Sequence, residues 1–213
     1  MPKNTGRSTV IRLALIFLPA LLFALSALSV QTGASAGFDG RVYAAVSQFI
    51  SPQLTAFMRA VTFMGSTPAI TALCLLSLAF AFRSFALPAV ASVILSTAAN
   101  NLLKYALARP RPEILRLVSE TGYSFPSGHS TAAMSLYGTL ALLLLTSAAP
   151  PRVKTPLIAL CSLLTAAVGF SRVYLGVHYA TDVLGGWCLA LFINLAVIFI
   201  WEKVKFKLKF IRY

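Results

Sequence analysis

Three short stretches of this chain carry residue types able to act on a phosphate ester: Lys104 with Arg111-Pro112, then Pro126-Ser127-Gly128-His129, then Ser171-Arg172 with His178 and Asp182. His178 and Asp182 are four residues apart, so at the start of a helix they share a face and the carboxylate can hold the imidazole in one tautomer. A histidine held this way attacks phosphorus through its free ring nitrogen, while the carboxylate stabilises the positive charge that develops on the ring. In the second stretch Gly128 lets backbone N–H groups come close to an anion at the start of an apolar helix. His129, at the edge of that turn, is placed to protonate a departing alkoxide as a general acid. Lys104 and Arg111 are seven apart, about two helical turns, and point the same way if their helix continues to Pro112. Arg172 supplies a third cation from another segment. Arginine forks bind phosphate oxygens in pairs, and three cations neutralise the equatorial oxygens of a transferring phosphoryl group.

Each stretch alone has a plainer explanation: a boundary histidine beside an incidental carboxylate, a helix capped by Ser127, basic side chains snorkelling to headgroups. What weighs against these is the setting, because cations, histidines and a carboxylate are costly to place at a membrane boundary. The setting is a membrane: 58% of the 213 residues are hydrophobic and only 11% charged, a balance no water-soluble domain of this size needs. The net charge of +13 would suggest nucleic acid in a soluble protein. Here the basic residues lie in short segments between apolar runs, so anionic lipid is the expected partner and nucleic acid is not.

Apolar runs near 10–30, 66–82, 85–103, 130–149, 155–171 and 183–201 are each close to the roughly 20 residues a helix needs to cross hydrocarbon. They predict an all-α membrane bundle of six spans forming a single domain over 1–213. Arg83-Ser84 and Pro150-Pro151 mark tight turns. Between spans one and two, Val42, Val46, Phe49, Leu54, Phe57, Met58 and Val61 recur at nearly helical spacing among polar residues. This predicts a helix over 38–64, broken at Pro52, lying in the interface. Cys74, Cys161 and Cys188 fall inside apolar runs and read as buried hydrophobes. With two histidines and no clustered ligands, neither a metal nor any other cofactor is expected. No Gly-x-x-x-Gly face marks an oligomer contact.

With a cytoplasmic N-terminus, eleven of the eighteen lysines and arginines fall on the inner side, including Arg152, Lys154 and the basic tail over 203–213. The tail is expected on anionic headgroups. All three motifs then lie together on the outer face. Ala34-Ser35-Ala36 resembles a signal-peptidase site, but the preceding apolar core of about 18 residues is long for a signal peptide, which favours a retained span.

Taken together, the motifs resemble the type 2 phosphatidic acid phosphatase family, whose pattern is K-x6-RP, PSGH and SR-x5-H-x3-D. Lys104 to Arg111-Pro112, Pro126 to His129, and Ser171-Arg172 to His178 and Asp182 fit it letter for letter. The spacing from Lys104 makes Arg109-Pro110 a decoy. The resemblance is strong over residues 100–187 and loose elsewhere. It implies metal-independent hydrolysis of lipid phosphate monoesters or pyrophosphates through a phosphohistidine on His178, oriented by Asp182, with His129 protonating the leaving group. It also implies phosphate binding by Lys104, Arg111, Ser127, Gly128 and Arg172. Phosphatidylglycerol phosphate, phosphatidic acid and undecaprenyl pyrophosphate are the expected substrate types, acted on at the outer face of the cell membrane. Two other classes stay open: a lipid phosphotransferase using the same phosphohistidine, and a transporter whose charges line a polar path. Substrate choice is expected to depend on segments 38–64 and 113–124.

Overall fold

In hydrocarbon every backbone N–H and C=O must be bonded within its own segment, so long apolar runs fold as helices. The computed structural model describes residues 5–80 and 83–211, with side-chain surroundings for 13–80 and 84–205. In chain order the helices are α1 Thr5–Gln31, α2 Ala36–Ser47, α3 Pro52–Phe63, α4 Thr67–Phe80 and α5 Arg83–Leu107, then α6 Gly128–Ala133, α7 Thr139–Thr146, α8 Pro151–Tyr174 and α9 Ala180–Ile211. A π-helical turn, Met134–Gly138, joins α6 to α7. The protein is an all-helical, multi-pass membrane bundle.

Among the described residues five stretches are long and apolar enough to cross a membrane: Leu13–Gln31, Ser84–Leu107, Gly128–Thr146, Pro151–Tyr174 and Ala180–Lys205. The span expected at 66–82 is the bent one. Its helix, α4, has only 14 residues and qualifies only together with α3, from which it is bent by 45°. The bend is built by Gly65, where a Cβ would lie 2.5 Å from Val168 Cγ1 and 3.0 Å from the carbonyl oxygen of His129. The freed carbonyl of Met64 accepts a hydrogen bond from the Tyr137 hydroxyl at 2.8 Å.

The interfacial segment does break at Pro52, which starts α3 behind Ser51, whose side chain accepts from the Leu54 N–H. One side of its apolar face packs on protein, while Phe49 and Phe57 stay exposed. Val46 and Met58 are buried with Val173, Tyr174, Leu175 and Val177 around the end of α8. The Tyr174 hydroxyl lies 3.0 Å from Thr55 Oγ1 and accepts from the Ser51 N–H at 3.2 Å.

Pro150 caps α8 and Pro151 opens it, as a turn there requires. The turn expected at Arg83-Ser84 adjoins residues 81–82, which lie outside the described ones. Of the basic tail, Lys203 and Lys205 continue α9 with their ammonium groups over the rings of Phe199 and Trp201. The side chains of Lys207 and Lys209, like those of Arg7, Arg12 and Arg83, and all of Lys3 and Arg212 lie outside the described residues.

Candidate active site

Helix α5 ends at Leu107, because Ala108 takes a φ of 44° and turns the chain aside before Pro110. The expectation that Lys104 and Arg111 share one helix is therefore corrected. Lys104 stays in the last turn of α5 and donates to the Tyr123 carbonyl at 2.7 Å. Arg111 arrives on the extended segment beyond, where Thr121 and Gly122 carbonyls accept from its Nε and Nη2 and the Val177 carbonyl accepts from Nη1 at 2.9 Å.

The same Nη1 is 3.2 Å from His178 Nε2. Arginine only donates, so Nε2 carries the lone pair and the ring proton sits on Nδ1, facing Asp182 Oδ2 at 3.3 Å. His178 itself precedes α9 by two residues, so the pair meets across a helix start and not along a helix face. Its N–H and that of Val177 both donate to the Arg172 carbonyl. Gly176 makes this turn possible, with φ at +72° and a Cβ position 2.2 Å from the Leu115 carbonyl oxygen. Burial lowers the imidazole to about 4, outweighing the opposing pull of Asp182.

Arg172 is 1% exposed. Its Nη1 donates to Thr62 Oγ1 at 2.8 Å, and its Nη2 donates to the Glu120 carboxylate. Its Nε is buried with no hydrogen-bond partner. Glu120 also lies 3.7 Å from Arg111. Burial would raise this carboxyl, but Arg172 foremost, with His129 and Arg111 behind it, holds it below its ordinary value.

Ser127 caps α6, its hydroxyl 2.9 Å from that of Ser130 and its N–H donating to the Asp182 carbonyl at 3.0 Å. A Cβ on Gly128 would meet nothing nearer than Asn100 Oδ1 at 3.7 Å and Lys104 Cε at 4.0 Å, so the turn opens toward Lys104. Asn100 donates to the Pro126 carbonyl and to Thr131 Oγ1, fixing the turn from below. From α9, Gly185 and Gly186 admit the Phe125 ring and the Ser127 carbonyl at distances a Cβ would violate.

Arg109, set aside as a decoy, is not free surface. Its Nη1 donates to Asp182 Oδ1 at 2.6 Å and its Nη2 to Asp39 Oδ2 at 2.8 Å. Asp39, Arg109 and the contact of Glu120 with Arg172 escape motif reading. The available signal was scarcity: only five acidic residues exist, and three of them, Asp39, Glu120 and Asp182, converge here. Among the described residues no three His, Cys, Asp or Glu side chains form a metal-ion ligand set.

A family model described as the PAP2 superfamily matches residues 85–206, more than half of the chain. The chain belongs to the PAP2 superfamily. It is 32% identical over 190 residues to phosphatidylglycerophosphatase B of Bacillus subtilis (strain 168), covering 87% of this chain and 94% of that protein. It is 34% identical over 122 residues to an undecaprenyl-diphosphatase of Sulfolobus acidocaldarius, covering 53% of each. The crystal structure of a transmembrane PAP2 type phosphatidylglycerolphosphate phosphatase from Bacillus subtilis superposes with a TM-score of 0.79 at 30% identity, covering 89% of this chain and 97% of that one. The superposition thus reaches well beyond the three motifs.

Proposed function

We propose that this PAP2 lipid phosphatase removes phosphate from a membrane lipid through a phosphohistidine on His178. The observation that carries the reading is the imidazole held between Asp182 and Arg111, with its Nε2 lone pair directed at the cations. Nε2 attacks phosphorus, Arg111 passes from the ring nitrogen to a phosphate oxygen, and the bond from phosphorus to the lipid oxygen breaks. His129 delivers a proton to that oxygen. Water, giving its proton to His129, then attacks the phosphohistidine and releases inorganic phosphate with His178 restored. Lys104, Arg111 and Arg172 hold the phosphoryl oxygens, the unpartnered Nε of Arg172 being a donor ready for one of them. Gly128 contributes its N–H, and Ser127 acts mainly by capping the turn that presents it.

For substrate we favour a lipid phosphomonoester of the phosphatidylglycerol phosphate type. The support is the near full-length similarity to proteins named for that activity, with undecaprenyl pyrophosphate as the second substrate type. The chain acts as one unit in the cell membrane, with the site on the extracytoplasmic side and both termini cytoplasmic. The arginine and lysine distribution supports this orientation. Purified protein in detergent with chelator should release inorganic phosphate from phosphatidylglycerol phosphate, phosphatidic acid and undecaprenyl pyrophosphate, fastest from the first. A phosphorylated lipid product instead would identify a phosphotransferase, and no turnover without added Mg²⁺ or Zn²⁺ would refute the mechanism.

A further inference from the structure

Asp182 is fully buried, and its two oxygens have separate partners. Oδ2 faces His178 Nδ1 and accepts from the Tyr179 N–H at 2.9 Å. Oδ1 accepts from Arg109 Nη1. Both terminal nitrogens of Arg109 are in turn engaged. Nη1 also donates to Thr181 Oγ1 at 2.8 Å, Nη2 to Asp39 Oδ2, and the guanidinium lies 3.9 Å from the centre of the Tyr179 ring. Asp39, 3% exposed on α2, completes the ring of contacts. Its Oδ1 accepts from the Thr181 N–H at 2.9 Å and its Oδ2 from the Thr181 hydroxyl at 2.7 Å.

The arrangement has a charge logic. Two buried carboxylates flank one guanidinium, leaving a single net negative charge, and the oxygen not used by Arg109 is the one that faces the imidazole. Without the guanidinium the carboxylates would repel, and Asp182 would be free to rotate away. Arg109 approaches Asp182 on the opposite oxygen from His178, so its fork is spent on the carboxylates and not offered to phosphate.

We infer that Arg109, backed by Asp39, is a positioning residue that keeps Asp182 aimed at His178, which makes helix α2 part of the catalytic apparatus. This rests on the reading of His178 as nucleophile and Asp182 as its orienter. Arg109 acts on the reaction through Asp182 alone.

The test is steady-state kinetics on the purified full chain in detergent with phosphatidylglycerol phosphate. Arg109→Gln should lower kcat about a hundredfold, the scale of a misplaced catalytic group, with KM changed less than about threefold. Arg109→Lys should recover part of that loss. The double variant Arg109→Gln with Asp182→Asn should be no slower than Asp182→Asn alone, since both break one unit. A merely structural Arg109 would give multiplicative losses in the double variant and no rescue by lysine, which would overturn the inference. So would a full kcat in Arg109→Gln. If Arg109→Gln does not fold, Asp39→Asn decides: a kcat loss of about tenfold at unchanged KM supports the inference, and unchanged kcat refutes it. His178→Ala run alongside separates the two levels. Turnover surviving in His178→Ala sinks the nucleophile assignment, whereas an inactive His178→Ala beside a fully active Arg109→Gln sinks only the role of Arg109.

Discussion

Glu120 lays its carboxylate on the guanidinium of Arg172, with its second oxygen 3.7 Å from Arg111. In a chain of net charge +13, an internal anion thus occupies cations proposed to hold the phosphoryl group. Glu120 is partly exposed, so a doubly charged phosphate can reach the two cations and displace it. Glu120→Gln should therefore bind inorganic phosphate or vanadate about fivefold more tightly in inhibition assays. Weaker inhibition would mean that Glu120 assists anion binding instead of competing with it.

The depressed imidazole sets a pH dependence. His178 sits near 4 because it is buried, so the neutral nucleophile persists through mildly acidic pH. Rapid-quench phosphoenzyme formation should stay level from pH 7 to about 5 and fall only toward 4. An unperturbed histidine would already have lost about tenfold at pH 5.5. The same shift has a stability sign. The unfolded histidine protonates first, so its contribution is full above about 6.5 and is lost as pH falls toward 4.

The two histidines should separate by substrate. His178→Ala should abolish both turnover and trapped phosphoenzyme. His129→Ala should cost about a hundredfold on a glycerol-type leaving group but far less on an aryl phosphate, whose departure needs little protonation. Equal losses on the two substrates would remove His129 from the proton-donor role.

Orientation is open to chemical labelling. Ser119 and Thr155 are both exposed and lie at opposite ends of the bundle's chain path. Cysteine at position 119 should react with an impermeant thiol reagent in intact cells, and cysteine at 155 should not. The reverse result would turn the protein over in the membrane.

Sequence patterns revealed what is local. Apolar run lengths located the spans, Pro52 and Pro150-Pro151 marked real helix starts, and motif spacing picked out the residues that gather around His178. What stayed hidden is tertiary. The end of α5 depends on a positive φ at Ala108, a residue type with no preference for it. Arg109 finds Asp39 and Asp182 across some 70 residues in either direction, a distance no short pattern spans. The bend between α3 and α4 had a local cue in Gly65-Ser66. Its cause, however, is the approach of His129 and Val168, which only packing supplies.

Gly185 and Gly186 let α9 lie directly against Phe125 and the Ser127 turn, while the Ser127 N–H grips the Asp182 carbonyl. Helix α6, with the proposed proton donor His129, and helix α9, with the proposed orienting carboxylate Asp182, are thereby keyed together as one piece. On the other side residues 113–124 form no helix, and the carbonyls of Thr121, Gly122 and Tyr123 hold Arg111 and Lys104 in place. A change in that loop would therefore move the cations it holds, whereas the glycine seam would keep helices α6 and α9 in register.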